Sequence, residues 1–243
     1  DSLRSRGLGD VYKRQTQNVL QANLQCYAPD QDCWIVHNIS RGLSVPGSDP
    51  TLTSSGATVM IFTQYMCLRS WAQFYTDGCH AVTSMSRAVP TQSLDARIKN
   101  RSRLAYTLAE SEVKLVDPLA QGVILDIHGN VSENKGGNIF VVSGGVLKTP
   151  TTANCLAGMS RSTALKLADG MGIPAVETIL QPYDLATADE LFFTSTPYCI
   201  MPATRFNGLP IGDGTVGPVT IRLLNAWSEM VGLDIVKQAQ DQL

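Results

Sequence analysis

Between Gly122 and Val142 the chain alternates short apolar runs with glycine-bearing turns. Gly122 Val123 Ile124 Leu125 Asp126 is followed by His128 Gly129 Asn130, then Val131 Ser132 Glu133, then Gly136 Gly137 Asn138, and then Ile139 Phe140 Val141 Val142. Runs this short, bounded by turn residues, read as strands of a hairpin rather than as helix. Just upstream, Leu104 to Val113 combines good helix formers with apolar spacing and reads as an amphipathic helix. Before that helix stands Ala96 Arg97 Ile98 Lys99 Asn100 Arg101, which places Lys99 at the end of an extended run following Pro90. A lysine ahead of the helix and a carboxylate, Glu133, on the hairpin behind it can face one pocket. Such a pair suits a cofactor bound covalently at one end and stabilised by charge at the other.

The flanking sequence reads as further alternation of strands and helices. A short helix is expected over Thr16 to Gln25, a turn at Pro29 to Asp32, and a strand from Cys33 to Gly42. A Gly-, Pro-, Ser- and Asp-rich loop covers Ser44 to Gly56, followed by a strand over Ala57 to Phe62, a crossing segment from Trp71 to Gly78 and a strand from Cys79 to Met85. Ser143 Gly144 Gly145 is a hairpin turn. A helix from Ser160 to Met171 ends at Gly172, where glycine supplies the usual C-terminal geometry. A strand over Ala175 to Leu180, a short helix at Tyr183 to Thr187 and a strand at Glu190 to Thr194 lead into the loop Ser195 Thr196 Pro197. Gly208 to Gly217 is a turn-rich connector, and Pro218 opens the last expected helix.

A chain of 243 residues, 44% hydrophobic and 16% charged, is long enough to bury a sizeable core in one large or two modest domains. No apolar run reaches the length of a bilayer span, and a formal charge of -2 provides no basic field for nucleic acid. Six scattered cysteines without a CxxC pair read as free thiols in a reducing compartment, and three lone histidines give no metal pattern. The start lacks the apolar core of a signal peptide, so the cytoplasm is expected. Asp1 to Gln15 begins without methionine, has no clean periodicity and reads as a non-native leader resembling a translated adapter peptide.

Six blocks carry a family resemblance: Ile98 Lys99 Asn100; Val131 Ser132 Glu133; Gly137 Asn138 Ile139 Phe140; Leu147 Lys148 Thr149 Pro150; Leu156 Ala157 Gly158 Met159 Ser160 Arg161; and Ala188 Asp189 Glu190 Leu191 Phe192. In this order they resemble the class IV pyridoxal-phosphate aminotransferases, which include branched-chain, D-amino acid and R-selective amine aminotransferases and aminodeoxychorismate lyase. The match runs from about residue 31 to the C-terminus. The resemblance implies the α/β fold of fold type IV, with a large pseudo-barrel domain over 79–243, a crossing at 71–78 and the remnant of a small domain over 16–70. It implies pyridoxal 5'-phosphate joined to Lys99 as a Schiff base, with Lys99 also the proton shuttle. Glu133 would lie opposite the pyridine nitrogen, and Leu156, Met159, Ser160, Ser195 and Thr196 would complete the cofactor site. A glycine-led helix start at Gly158 Met159 Ser160 suits a phosphate, although Ser160 as a plain N-cap is the competing reading. Asn138 and Arg161 read as structural.

Departures from the family pattern bear on substrate and cofactor. The substrate positions align with Trp34, Val36 and Pro197, where the branched-chain enzymes have a tyrosine hydroxyl, an arginine and a backbone amide. Trp34 has no hydroxyl, Val36 no charge and Pro197 no amide. Either the substrate is held differently or it is an amine without an α-carboxylate. The family's phosphate-binding arginine lies upstream of the matched blocks, so weak cofactor retention is expected. His37, Arg41, Arg69 and Arg205 are further polar candidates for the pocket. The resemblance implies amino transfer between an amino acid or amine and a 2-oxo acid by ping-pong chemistry in a homodimer. A lyase of the aminodeoxychorismate type and a catalytically silent fragment remain the alternatives.

Overall fold

Each short apolar run between Gly122 and Val142 is a strand. The computed structural model describes residues 2–28, 31–40, 42 and 57–243, with side chains from residue 13 onward. Pro29, Asp30, Arg41, residue 43 and all of the loop expected over Ser44 to Gly56 lie outside the described residues. The chain divides into two compact units, Asp1–Cys67 and Leu68–Leu243.

In the first unit, α1 (Ser2–Asn23) is longer than the helix expected from Thr16, and a 3-10 turn follows at Leu24–Cys26. Strands β1 (Cys33–Ser40) and β2 (Thr58–Tyr65) pair antiparallel, with Trp34 opposite Gln64 and Val36 opposite Phe62. Residues two apart on a strand share a face, so Trp34 and Val36 lie on the less exposed face of β1 while Ile35, His37 and Ile39 are exposed.

The second unit opens with two helical turns, α2 (Arg69–Ala72) and α3 (Phe74–Asp77), where the sequence suggests only a crossing segment. Then come β3 (Cys79–Arg87), α4 (Leu104–Val116), β4 (Gln121–Leu125), β5 (Val131–Glu133), β6 (Asn138–Ser143) and β7 (Val146–Pro150). The remainder is α5 (Met159–Gly170), β8 (Ala175–Thr178), α6 (Pro182–Ala186), β9 (Glu190–Ser195), β10 (Cys199–Phe206), β11 (Leu209–Pro210), α7 (Pro218–Val231) and α8 (Ile235–Gln240). The nine strands form one mixed sheet in the order β5-β4-β3-β10-β9-β6-β7-β8, with β11 beside β10. The Val131 amide of β5 donates to the Leu180 carbonyl just beyond β8, at 2.7 Å, and so links the two ends of that order.

Continuous apolar runs in β6 and β9 are buried on both faces, as covered strands require. Phe140 and Phe192 stack across them at 5.1 Å and are fully buried, each removing side-chain surface that stabilises by about 1.5–3 kcal/mol. On another part of the sheet, Val113 of α4 packs with Val82 and Ala120. All six cysteines are free. Among the described residues no helix is long and apolar enough to cross a membrane, and no cluster of His, Cys, Asp and Glu can hold a metal ion.

Three parts of the second unit differ from the sequence reading. The run after Pro90 is not extended. The amides of Ser93 and Leu94 donate to Pro90, and Asp95 accepts from the Arg97 amide and guanidinium, which folds the segment into turns. The strand β10 occupies the sheet centre although Pro202 argues against a strand. Its parallel pairing with β3 begins only at Ala203, so no rung on that side needs the amide Pro202 lacks. Nor does the chain end with the helix at Pro218, because α8 follows, capped by the Asp234 carboxylate accepting from the Lys237 amide.

Glu190, anticipated only as the start of a strand, has a second task. Its buried carboxylate accepts from the amides of Val219 and Thr220 and from the Thr220 hydroxyl, at 2.6–2.9 Å. It thereby caps the positive end of α7, and a Cβ on Gly217 would come within 2.1 Å of its side chain. Glu190→Ala is expected to cost about 2–3 kcal/mol by loss of these charge-assisted bonds, measured by urea unfolding. Glu190→Gln, which keeps an acceptor oxygen, should cost less.

Candidate functional site

The site is assembled from three segments: the turns before α4, the β5–β6 connection, and the loop from β7 into α5. Glu133 ends β5 with its side chain buried. One carboxylate oxygen, Oε1, accepts from the Tyr106 hydroxyl at 2.7 Å, and the other, Oε2, accepts from the Leu156 amide at 2.9 Å. Burial raises the Glu133 pKa, and the Tyr106 and Leu156 hydrogen bonds, Arg103 and Lys99 oppose that rise. Two donors occupy about two of the roughly four lone-pair positions of a carboxylate, which leaves the carboxylate further acceptor capacity.

Lys99 sits on the turns preceding α4. Its pKa is lowered, first by desolvation and then by the positive charge of Arg103, with Glu133 acting in the opposite direction and Arg101 adding to the depression. Much of the residue remains in contact with solvent, so the desolvation is partial. Arg97, adjacent in sequence, is instead paired with Asp95 at 2.6 Å. The charge of Glu133 opposes the depression of Lys99, and that of Lys99 opposes the rise at Glu133.

Helix α4 presents a polar stripe to the segment after Glu133. Arg103 donates to the Lys135 carbonyl, Tyr106 donates to Glu133, and Glu110 accepts from the Lys135 ammonium. The Arg103 guanidinium also lies over the Tyr106 ring, 4.3 Å from its centroid. Sequence reasoning passed over Arg103 and Tyr106. The available signal was their spacing: Arg103, Tyr106 and Glu110 recur at i, i+3 and i+7, a polar line on a helix otherwise read for its apolar face.

At the start of α5 the N-cap is Gly158, with no side chain capping the helix. Ser160 is therefore not the N-cap serine of the competing reading; it lies one residue inside the helix and is buried, while Met159 is highly exposed. Gly158 is tightly set, since a Cβ there would lie 2.1 Å from Asn138 Oδ1. Asn138 donates to the Leu156 carbonyl at 2.8 Å, which makes it a structural link. The amide of Leu156 is spent on Glu133 and its carbonyl on Asn138, so its backbone serves the protein rather than a ligand. Arg161 is also structural: buried, it donates to the Pro150 carbonyl and pairs with Glu177, both through Nη2.

Ser195 ends β9, and its hydroxyl donates to the Gly136 carbonyl at 2.6 Å, tying the β9–β10 turn to the β5–β6 connection. Thr196 in that turn is exposed and Pro197 half-buried. Thr194 stands opposite Asn138 in the β6–β9 pairing, so the two side chains leave the same sheet face. Its Oγ1, like Asn100 Oδ1 next to Lys99, is buried without a protein partner. Trp34 and Val36 belong to the first unit. Of the other polar candidates, Arg205 pairs with Asp117 at 3.2 Å, the His37 ring contacts the Thr16 hydroxyl at 3.0 Å, and Arg69 is exposed on α2.

The amino-transferase class IV family matches residues 8–206, and the chain belongs to that family. The matched region begins upstream of residue 31, the start of the sequence resemblance. The branched-chain-amino-acid aminotransferase of Escherichia coli (strain K12) is 36% identical over 147 residues, covering 60% of this chain and 47% of that protein. The chain thus spans about half the length of the curated relatives it matches. The crystal structure of the Escherichia coli branched-chain amino acid aminotransferase superposes with a TM-score of 0.78 at 27% identity, over 92% of this chain and 71% of that one. The T.th. branched-chain amino acid aminotransferase complexed with N-(5'-phosphopyridoxyl)-L-glutamate shares the fold, with a TM-score of 0.74 at 24% identity over 92% of this chain and 69% of that one. These likenesses establish the fold type IV architecture that the sequence blocks imply.

The charge arrangement around Lys99 is directly measurable. The rate of Lys99 labelling by an amine-reactive reagent should show a midpoint pH below that of free lysine. Arg103→Met removes a charge that disfavours the ammonium, so the midpoint should move upward; an unchanged midpoint would contradict the arrangement.

Proposed function

We propose that this chain carries the pyridoxal-phosphate site of an aminotransferase that moves an amino group between an amino acid or amine and a 2-oxo acid. The observation that carries the reading is the buried carboxylate of Glu133, held on both oxygens by Tyr106 and Leu156, in a chain of the class IV family whose Lys99 block precedes it. The residues present fit the cofactor. Glu133 retains acceptor capacity after its two protein bonds, and the buried, unpartnered Oδ1 of Asn100 and Oγ1 of Thr194 border the segments that form the site.

Lys99 would hold the group covalently and Glu133 its ring nitrogen. Met159 and Ser160 would hold the phosphate through their amides, with Ser195 and Thr196 as a second lobe and the Leu156 side chain alongside. When bound, pyridoxal phosphate supplies a carbonyl for imine exchange and a cationic ring that accepts the electron pair of a broken substrate C–H bond. The depressed pKa of Lys99 leaves its amine unprotonated more often than a free lysine's, which suits it to attack a carbonyl carbon and to take up and return a proton at Nζ. In its ionised form Glu133 would favour a proton on a ring nitrogen held beside it. The Ser195 hydroxyl already donates to Gly136, so Ser195 would serve an anion through its backbone amide.

For the substrate we infer a mode of binding without carboxylate contacts from Trp34, Val36 or Pro197. An amine lacking an α-carboxylate fits that inference, and an amino acid held by other groups fits it too. A homodimer in the cytoplasm is the assembly and setting we propose.

Purified protein supplied with pyridoxal phosphate should develop the visible absorbance of a lysine-bound cofactor, and Lys99→Ala should abolish it. Retention of that absorbance in the variant would overturn the role of Lys99. With pyruvate or 2-oxoglutarate as acceptor, a chiral aryl-alkyl amine should turn over faster than leucine or D-alanine if the carboxylate contacts are absent. Brisk leucine turnover would defeat the substrate inference.

A further inference from the structure

We propose that Tyr106 is a positioning residue for Glu133. Its phenol hydroxyl and the Leu156 amide grip the two oxygens of the carboxylate from opposite segments, so that the acid presents its remaining lone pairs in one orientation. The inference rests on the reading of Glu133 as the partner of the cofactor's ring nitrogen and adds the residue that aims it.

The geometry supports a directional role. A buried glutamate has rotatable bonds to spare, and a single donor on one oxygen would leave the carboxylate plane free to turn. Two donors on different oxygens, one from a helix side chain and one from a loop backbone, fix that plane. Tyr106 is itself held. The Arg103 guanidinium lies 4.3 Å above its ring, and the same guanidinium is anchored to the Lys135 carbonyl two residues beyond Glu133. The stripe on α4 therefore clamps both Glu133 and the backbone that carries it, with Glu110 and Lys135 adding an ion pair at the far end.

The charged and titratable groups facing Glu133 are Lys99 and Arg103 from the turns before α4, Tyr106 from α4 itself, and Cys155 beside the Leu156 amide on the loop into α5. The Tyr106 hydrogen bond favours the ionised carboxylate. Loss of that bond therefore moves protonation of Glu133 to higher pH, and Tyr106 acts on the reaction through the acid without touching the reacting atoms.

Tyr106→Phe isolates the effect, because it keeps the ring under Arg103 and removes only the donor. Three readouts are needed: the dissociation constant for pyridoxal phosphate, the pH dependence of the bound cofactor's absorbance, and the melting temperature of the cofactor-free protein. Tyr106→Phe is expected to weaken cofactor binding roughly 10-fold and to move the acid-side inflection of the absorbance to higher pH. Glu133→Gln should remove that inflection, and its persistence there would overturn the assignment. If Tyr106→Phe lowers only the melting temperature while affinity and inflection match the wild type, Tyr106 is structural and the inference fails alone. A wild type that takes up no pyridoxal phosphate fails at the earlier step and overturns the aminotransferase reading, and the inference with it.

Discussion

The second unit is organised around a carboxylate taken out of water. Removing Glu133 from solvent is unfavourable for its charged form, and the protein offsets that cost with a phenol hydroxyl, a backbone amide and two nearby cations. Each compensating group fixes a piece of chain. Tyr106 ties α4 to the carboxylate, Leu156 ties the loop before α5 to it, and Arg103 joins the start of α4 to the Lys135 carbonyl. The acid is one of several links among these segments, beside the Arg103–Lys135 and Asn138–Leu156 hydrogen bonds.

Apolar patterning explains how much of this was readable. The strands at Gly122 to Val142 and the helix at Leu104 announce themselves by period and punctuation, and both stand where the sequence puts them. Lys99 and Glu133 draw attention in the sequence only through their surrounding blocks. What the sequence concealed are effects that depend on pairing rather than on periodicity. The local carboxylate of Asp95 overrides the extended conformation expected after Pro90. The proline in Cys199 to Phe206 disguises a central strand because local propensity does not reveal which edge of a residue lacks a neighbour. Tyr106 and Arg103 look like ordinary helix surface until Glu133 and Lys135 are placed beside them. Glu190 has an ordinary strand appearance, and its partner amides lie almost thirty residues further along.

Several polar groups around the candidate site are engaged by the protein, among them Asn138 and Arg161, which the sequence already reads as structural. The Leu156 backbone, the Ser195 hydroxyl proton, Asn138 and Arg161 all hold segments together. This division leaves the amides at the head of α5, the Thr196 region and the amine of Lys99 as the groups facing outward, while the scaffold consumes the rest.

The central strand β10 has a consequence for how the chain is made. It is wedged between β3 and β9, yet more than a hundred residues separate it from β3. During synthesis from the N-terminus, β3 emerges with one flank bare and keeps it so until the segment around Ala203 leaves the ribosome. For that interval the growing polypeptide exposes an open template for β-pairing, and the nascent protein depends on rapid completion, or on a chaperone, to avoid joining its neighbours.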